Sequence, residues 1–538
     1  MRGLFSLFFL LVLTSVWGQQ NTILIIADDV SPDYFGCFST NTDTANAPNI
    51  AAMAARGVRF THVWSAPVCS PARSQILTGR YPFRTGVGGV ITNISSPQID
   101  TAEVSIAKIL KYGTSNSFQT ACVGKWHLTA NAPARRLNPN KLGFDLYSGN
   151  FNGAIPNYYQ YVRVKNGMVD TITTYATTQT VNDAISWLDT ISPSQPFFLW
   201  LAFNAPHDPF HVPPANLCNT TGLLGTPADI NANPKKYFKA AIQAMDSELG
   251  RLFAYLASHQ LLDSTNIVFI GDNGNQSQVA QNAVPSKSKG TIYDYGVRVP
   301  MIVAGPVVVQ GNRNCHDLVS TVDLFATMAE WSRVSNWKSY IPSNKVVDSR
   351  SFLPVLKNQS NTQRSWIFSE TFNTPSTSAD GKSIRNADYH LLRFDQGGSE
   401  FYHTSTDLQE LSNLLSSPSN MTSQDILNYR SLCDTLASLT GLTSCLPLGI
   451  PEPFNDEAWA LRPNPSNGNF SIVNQNNSLL NSYEVIIRNQ KGQLVFQKYE
   501  VTGPIELDLK NQADGFYSVE LIQNKKRSTK VLIKGVDR

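Results

Sequence analysis

Three short apolar runs, over residues 22–27, 197–203 and 267–270, constrain the fold of this chain more than any other feature. Each is too short for a helix and reads as a buried strand. The first ends in Asp28-Asp29 and the last in Gly271-Asp272-Asn273. Between them, residues 177–188 and 237–257 show helical spacing of apolar positions. Strands alternating with helices predict a parallel α/β sheet, whose ligand sites gather at the strand C-termini. Asp28, Asp29, Asp272 and Asn273 fall where that rule puts ligands. Hard oxygen donors in two pairs, distant in sequence but each at a strand end, suit calcium or magnesium.

The pentapeptide Cys69-Ser70-Pro71-Ala72-Arg73 lies ahead of Ser74-Gln75-Ile76-Leu77-Thr78-Gly79. Ser70 is a good N-cap and Pro71 suits the first turn, so Cys69 is expected just before a helix N-terminus, with Gly79 as its stop. Free N–H groups and the positive dipole end then face any anion held there. Arg73, one turn in, can aim a fork of donors at the same place.

This pentapeptide resembles the maturation signature of type I sulfatases, in the alkaline phosphatase superfamily. The resemblance implies that a formylglycine-generating maturase oxidises Cys69 to formylglycine (3-oxoalanine), whose hydrate is the nucleophile. It also implies a metal bound by Asp28, Asp29, Asp272, Asn273 and the group at Cys69. Further blocks follow in the family's order. Gly124-Lys125-Trp126-His127-Leu128 matches its G-K-W-H-L block, Ala205-Pro206-His207-Asp208-Pro209 its second histidine segment, and Lys289 its second active-site lysine. One departure is Asp294-Tyr295-Gly296, where many relatives carry E-G-G. Tyrosine in place of glycine restricts the backbone there, which puts the reach of Lys289 in question, and Lys287 is its competitor.

The resemblance runs from about Thr22 to about Leu414. It implies an alkaline-phosphatase-like mixed sheet flanked by helices, followed by a small C-terminal antiparallel subdomain. After Pro447 the composition shifts to Asn-rich alternating strands with Gly and Asn at the turns, which predicts a small terminal β-sandwich. Pro463-Asn464-Pro465-Ser466-Asn467-Gly468 and Gly515-Phe516-Tyr517 resemble the C-terminal sorting domain of type IX secretion. The expected organisation is a signal peptide over 1–18, a catalytic domain over 19–380, a subdomain over 381–450, a linker over 451–460 and the sandwich over 461–538.

The signal peptide rests on Met1-Arg2 followed by an apolar run too short to span a bilayer. No later stretch is long enough for a transmembrane helix. A net charge of +3 over 538 residues excludes a polyanion-binding composition, so no nucleic acid is expected. There are seven cysteines, and no zinc-type cluster among them. With Cys69 consumed by maturation, six remain that can pair in an oxidising compartment. Cys433 with Cys445 is the expected local bridge, and the pairing of the others stays open.

The resemblance implies an exported sulfatase, secreted or at the cell surface, or periplasmic if the tail is not a sorting signal. The expected substrate is a sulfated carbohydrate, with secretion machinery as a further partner. In the implied mechanism Arg73 orients the hydrate, Lys125 and Lys289 hold the sulfuryl oxygens, His207 protonates the leaving group and His127 takes a proton so that sulfate is released. Tyr158, Tyr159 and Tyr161 are candidates for a sugar-stacking surface. The alternatives are a phosphate or phosphonate monoester hydrolase of the same superfamily, and a catalytically silent surface glycan-binding protein.

Overall fold

A strand buried on both faces needs apolar side chains on both sides, and the central strands have them. In β1 (Asn21–Ala27) Leu24 and Ile26 pack into one core while Ile23, Ile25 and Ala27 pack into another. The computed structural model describes residues 20–38, 43–359, 364–443, 445, 459–474, 482–523 and 526–535. The signal-peptide expectation and most of the linker lie outside the described residues. The chain forms two compact units, Met1–Ser412 and Asn413–Arg538.

In the first unit, β1 is joined by β2 (Val58–Trp64), β3 (Gln119–Gly124), β4 (Leu146–Gly149), β5 (Tyr161–Lys165), β6 (Met168–Ile172), β7 (Phe197–Ala202), β8 (Thr265–Gly271), β9 (Met301–Ala304) and β10 (Arg313–Ser320). They form one ten-stranded sheet in the order β10-β2-β9-β8-β1-β7-β3-β4-β5-β6. Four neighbours, β8, β1, β7 and β3, are mutually parallel. β9 runs against both β8 and β2, so β2 points the same way as those four. The sheet is thus mixed, as expected. The helices Ala176–Leu188 and Pro234–Ser258 contribute Val181, Ala184, Ile242, Met245 and Leu249 to the core shared with Ile23 and Ile25.

A second sheet of the same unit is antiparallel and runs β11 (Ile367–Thr371), β12 (Gly381–Arg385), β13 (Tyr389–Phe394), β14 (Ser399–His403). It begins ahead of residue 381. The Asn386 side chain accepts from the N–H groups of Asp388 and Tyr389 and closes the β12–β13 turn.

The second unit holds the helix Ser423–Thr440, opened by a reciprocal Thr422–Asp425 capping box and closed by Gly441 in the left-handed region. Cys433 and Cys445 are bridged. The other five cysteines, Cys37, Cys69, Cys122, Cys218 and Cys315, are free thiols. Two antiparallel sheets follow. One is β15 (Trp459–Arg462), β16 (Asn469–Asn474) and β19 (Ile505–Asp508); the other is β18 (Leu494–Val501), β17 (Tyr483–Asn489), β20 (Gly515–Gln523) and β21 (Lys526–Lys534). Trp459, Phe470 and Ile472 from the first share one core with Val485, Ile487, Val519 and Leu521 from the second, which makes the expected sandwich. Among the described residues, no helix is long and apolar enough to cross a membrane.

Candidate active site

Parallel neighbours end at the same edge, so residues far apart in sequence meet there. Asp28 and Asp29 leave β1, Asp272 and Asn273 leave β8, Lys125 leaves β3, and His207 follows β7 by a short loop. The junctions are tied to one another. Asp29 N–H donates to Asp272 Oδ1 at 2.9 Å, Asp28 N–H to the Ala205 carbonyl at 3.1 Å, and Val30 N–H to the Asn273 carbonyl at 3.0 Å. Gly124 is needed for its size, because a Cβ there would stand 1.8 Å from the Ala202 carbonyl oxygen.

After β2 the chain enters the helix Cys69–Thr78, all ten residues of which are buried. The helix starts two residues earlier than expected, with Val68 as its cap in place of Ser70 and Cys69 already inside the first turn. Ser70 does not cap it, because its hydroxyl accepts from Ile91 N–H at 3.2 Å instead. Gly79 ends it at φ 67°. Cys69 Sγ lies 3.5 Å from Asp28 Oδ1, 3.6 Å from Asp29 Oδ1 and 3.4 Å from Lys125 Nζ.

Buried charges persist only when paired, and the cations here are shared among the carboxylates. Arg73, fully buried, donates from Nε and Nη2 to Asp272 Oδ2 at 3.1 and 2.8 Å and from Nη1 to the Lys125 carbonyl at 3.0 Å. Its Nη2 is also 3.6 Å from Asp28 Oδ1. Lys125 Nζ donates to Asp28 Oδ2 at 2.5 Å, and Lys289 Nζ to Asp29 Oδ2 at 2.5 Å. Burial pushes Asp28 up to about 6 despite the pull of Lys125. At Asp29 burial is outweighed by Lys289 and His207, which hold the carboxyl well below the usual range. Burial also raises the Cys69 thiol well above its ordinary value, with Lys125 and Lys289 offsetting only part. Unmodified, Cys69 is a neutral thiol and a poor nucleophile.

Lys289, and not Lys287, reaches the cluster. Its N–H donates to the Asn275 carbonyl at 3.1 Å and that of Gly290 to the Pro67 carbonyl at 2.9 Å, which pins this segment between the β8 loop and the Cys69 helix. Lys287 Nζ lies instead over the Tyr293 and Tyr402 rings, 4.4 and 4.9 Å from their centroids. Tyr295 occupies a helical turn, Asp294–Val297, where a glycine's extra freedom is not required, and its hydroxyl donates to Asp33 at 2.6 Å.

The two histidines are set differently. His127 is buried under the Ile91 carbonyl, 3.1 Å from Nε2, so Nε2 carries the proton and the buried Nδ1 is a partnerless acceptor. Burial, helped by Lys125 and Arg73, pushes its pKa well below the ordinary value. His207 has Nε2 3.2 Å from Lys289 Nζ and 3.4 Å from Asp29 Oδ2. Burial disfavours its imidazolium, but Asp29 and Asp28 outweigh that and raise its pKa.

All ten residues singled out by the sequence lie at or beside this edge. Several others there carried no separate signal. Ser65 Oγ donates to the Asp272 carbonyl at 2.5 Å, and Gln276 and Asp208 sit beside Asp29 and His207. The tyrosine expectation is corrected for two of the three: Tyr158 and Tyr161 are 2% and 6% exposed and belong to the core, so they present no stacking face, whereas Tyr159 is exposed. Tyr158 hydroxyl meets the carbonyls of Asn204 and His207 at 2.6 and 2.8 Å and so supports the histidine loop.

The residues present fit a hard divalent cation. Ligand atoms of Asp28, Asp29, Cys69 and His207 lie within 4.8 Å of one another. Asn273 Oδ1 is buried without a hydrogen-bond partner, while its Nδ2 donates to Asp29 Oδ1 at 2.7 Å. A cation beside Asn273 Oδ1 would satisfy that oxygen.

The family model described as sulfatase matches residues 20–334, that of the N-sulphoglucosamine sulphohydrolase C-terminal region residues 287–433, and that of the secretion system C-terminal sorting domain residues 460–535. Arylsulfatase J of Mus musculus is 26% identical over 59% of this chain and 53% of its own length. N-acetylgalactosamine-6-sulfatase of Homo sapiens is 27% identical over 62% of this chain and 65% of its own. The chain therefore spans about half to two thirds of these curated relatives. Among solved structures, Ps i-CgsB in complex with k-i-k-neocarrahexaose is 25% identical with a TM-score of 0.64, covering 76% of this chain and 91% of that one. PsFucS1 sulfatase from Pseudoalteromonas sp. shares the fold at 19% identity and a TM-score of 0.61, covering 79% of this chain and 92% of its own.

Proposed function

This chain belongs to the sulfatase family, and on that premise we propose that it hydrolyses sulfate monoesters of a carbohydrate through Cys69 in its formylglycine form. The observation that carries the reading is the meeting of Cys69 with Asp28, Asp29 and Lys125 at one buried sheet edge. Relatives that act on or bind sugars support a carbohydrate: one is named for N-acetylgalactosamine-6-sulfate chemistry and a solved neighbour holds a neocarrahexaose.

A sulfate monoester resists water because an incoming oxygen meets a shielding anion and the alkoxide leaves poorly. Asp28, Asp29, Asp272 and Asn273 would hold a calcium or magnesium ion, which supplies Lewis-acid polarisation of a sulfate oxygen. Hydrated formylglycine at position 69 supplies the hydroxyl that displaces the ester oxygen from sulfur. Lys125 and Lys289, beside Asp28 and Asp29, provide ammonium donors for the sulfuryl oxygens. Arg73 holds Asp272 and Asp28 in place, so the cationic lining and the carboxylates stay in register. As the ester S–O bond breaks, its electron pair goes to the sugar oxygen, which takes the proton of His207 Nε2. His127 Nδ1, bare and buried, is the base that takes the proton of the remaining hydroxyl on residue 69 as the C–O bond to sulfate breaks and the aldehyde re-forms.

The sorting-domain match supports export to the cell surface or beyond through secretion machinery, with a maturase acting on Cys69. The same reading keeps a catalytic domain over 19–380, a subdomain over 381–450 and a sandwich over 461–538. The test is sulfate release from a panel of sulfated oligosaccharides, run beside matched phosphate esters and with mass spectrometry of the Cys69 peptide. Turnover of sulfate esters by protein bearing formylglycine is expected. Protein so modified that cleaves only phosphate esters, or nothing, refutes it.

A further inference from the structure

His207 is followed by Asp208, whose carboxylate stands 45% exposed at the mouth of the site. Asp208 Oδ1 lies 2.6 Å from His207 Nδ1, and the Asp208 carbonyl oxygen lies 2.7 Å from the same nitrogen. Both neighbours are acceptors only, so Nδ1 carries a proton and the opposite nitrogen, Nε2, faces Lys289 and Asp29. The carboxylate is itself held. Gln276, from the loop after β8, donates from Nε2 to Asp208 Oδ1 at 2.9 Å and to Asp29 Oδ2 at 3.2 Å. One amide thus ties the β1 terminus to the β7 loop across the site.

We propose that Asp208 and Gln276 are positioning residues that lock the His207 ring with Nε2 aimed at the leaving oxygen. The inference rests on the sulfate-ester reading above. A backbone carbonyl alone leaves the ring free to swing about its χ2, which is a broad torsion with two-fold character. The carboxylate, fixed by a second partner, closes that freedom. Near-attack placement of a proton donor is worth a large share of its effect, and displacement by about 1 Å can cost roughly 100-fold. His207 is also gripped from behind, through Tyr158 and its own carbonyl at 2.8 Å, so Asp208 controls the ring and not the backbone.

The experiment compares Asp208→Ala, Asp208→Asn and wild type on two esters: 4-nitrophenyl sulfate, whose leaving group needs no proton, and an alkyl or sugar sulfate, whose leaving group does. Asp208→Ala is expected to lower kcat on the unactivated ester by roughly 10- to 100-fold with KM unchanged, and on the nitrophenyl ester by less than about 3-fold. Asp208→Asn, which keeps an oxygen for Nδ1–H and for Gln276, is expected to recover most of the loss. Equal losses on both esters, or none, overturn the proposal while leaving the sulfatase reading intact. A wild type inert toward every sulfate ester removes both. An independent readout needs no turnover: in histidine-labelled protein, the His207 Nδ1–H resonance of wild type should shift and exchange faster with water in Asp208→Ala, where the main-chain carbonyl is the acceptor left to it. An unchanged shift and exchange rate in that variant would also overturn the assignment.

Discussion

Glu370, in β11, is a buried acid away from the metal-type cluster, and its replacement by glutamine makes a quantitative prediction. Its Oε1 accepts Phe83 N–H at 2.7 Å, its Oε2 is buried without a partner, and the side chain is 0% exposed. Burial pushes its pKa from 4.5 up to about 8; Phe83 N–H and Lys382 pull it down, and Asp395 and Asp348 push it further up. Between those two values the native state holds the proton and the unfolded chain does not, so stability falls as pH rises through the window. At about 1.4 kcal/mol per unit, the loss reaches roughly 3 kcal/mol at pH 7 and is about 0.8 kcal/mol at pH 5. Glutamine copies the shape of the neutral acid and does not titrate. Its extra N–H makes that figure an upper value. For a unit the size of Met1–Ser412, an unfolding entropy of roughly 0.9 kcal/mol/K converts it to about 4 °C. Thermal unfolding of wild type and Glu370→Gln at pH 5, 6, 7 and 8 is the assay. The variant should melt within about 1 °C of wild type at pH 5 and about 4 °C above it at pH 7. A gap that does not change with pH, or a variant less stable at pH 7, would refute the assignment of a neutral buried Glu370.

Four other outcomes are expected. Cys69→Ala removes only Sγ, so it should abolish sulfate release at a stability cost of about 1 kcal/mol, measured by ion chromatography and melting; wild-type release by that variant would exclude Cys69 as nucleophile precursor. Chelation should abolish turnover, with recovery on adding calcium or magnesium; at 100 times Kd the cation adds about 2.7 kcal/mol of apparent stability, visible as a raised Tm. Gly124→Ala puts a Cβ 1.8 Å from the Ala202 carbonyl oxygen at φ 97°, and soluble yield in expression trials should collapse. Reducing Cys433–Cys445, whose sequence separation is 12, should lower the stability of the second unit by about 3 kcal/mol, read by denaturant titration with and without reductant.

Much of this was legible locally. The runs at 22–27, 197–203 and 267–270 are β1, β7 and β8 to within two residues, because strands buried on both faces have little alternative composition. The sandwich strands expected from alternation and turn residues are present for the same reason. The ligand types at the strand ends followed from where α/β sheets place their sites. The Ser70 cap did not hold, since a hydroxyl's choice between its own helix and Ile91 depends on a loop 21 residues away.

What the sequence by itself determined is the set of chemical groups and the elements that carry them, since periodicity, capping and strand composition act over a few residues. Only the tertiary structure decided which groups meet. Lys289 was chosen over Lys287 by anchors on Asn275 and Pro67, Arg73 was turned toward Asp272 199 residues on, and Asp208 and Gln276 were brought onto one histidine from separate loops. The order of strands brings β8, β1, β7 and β3 side by side. That order follows from packing between distant segments, which no local pattern encodes.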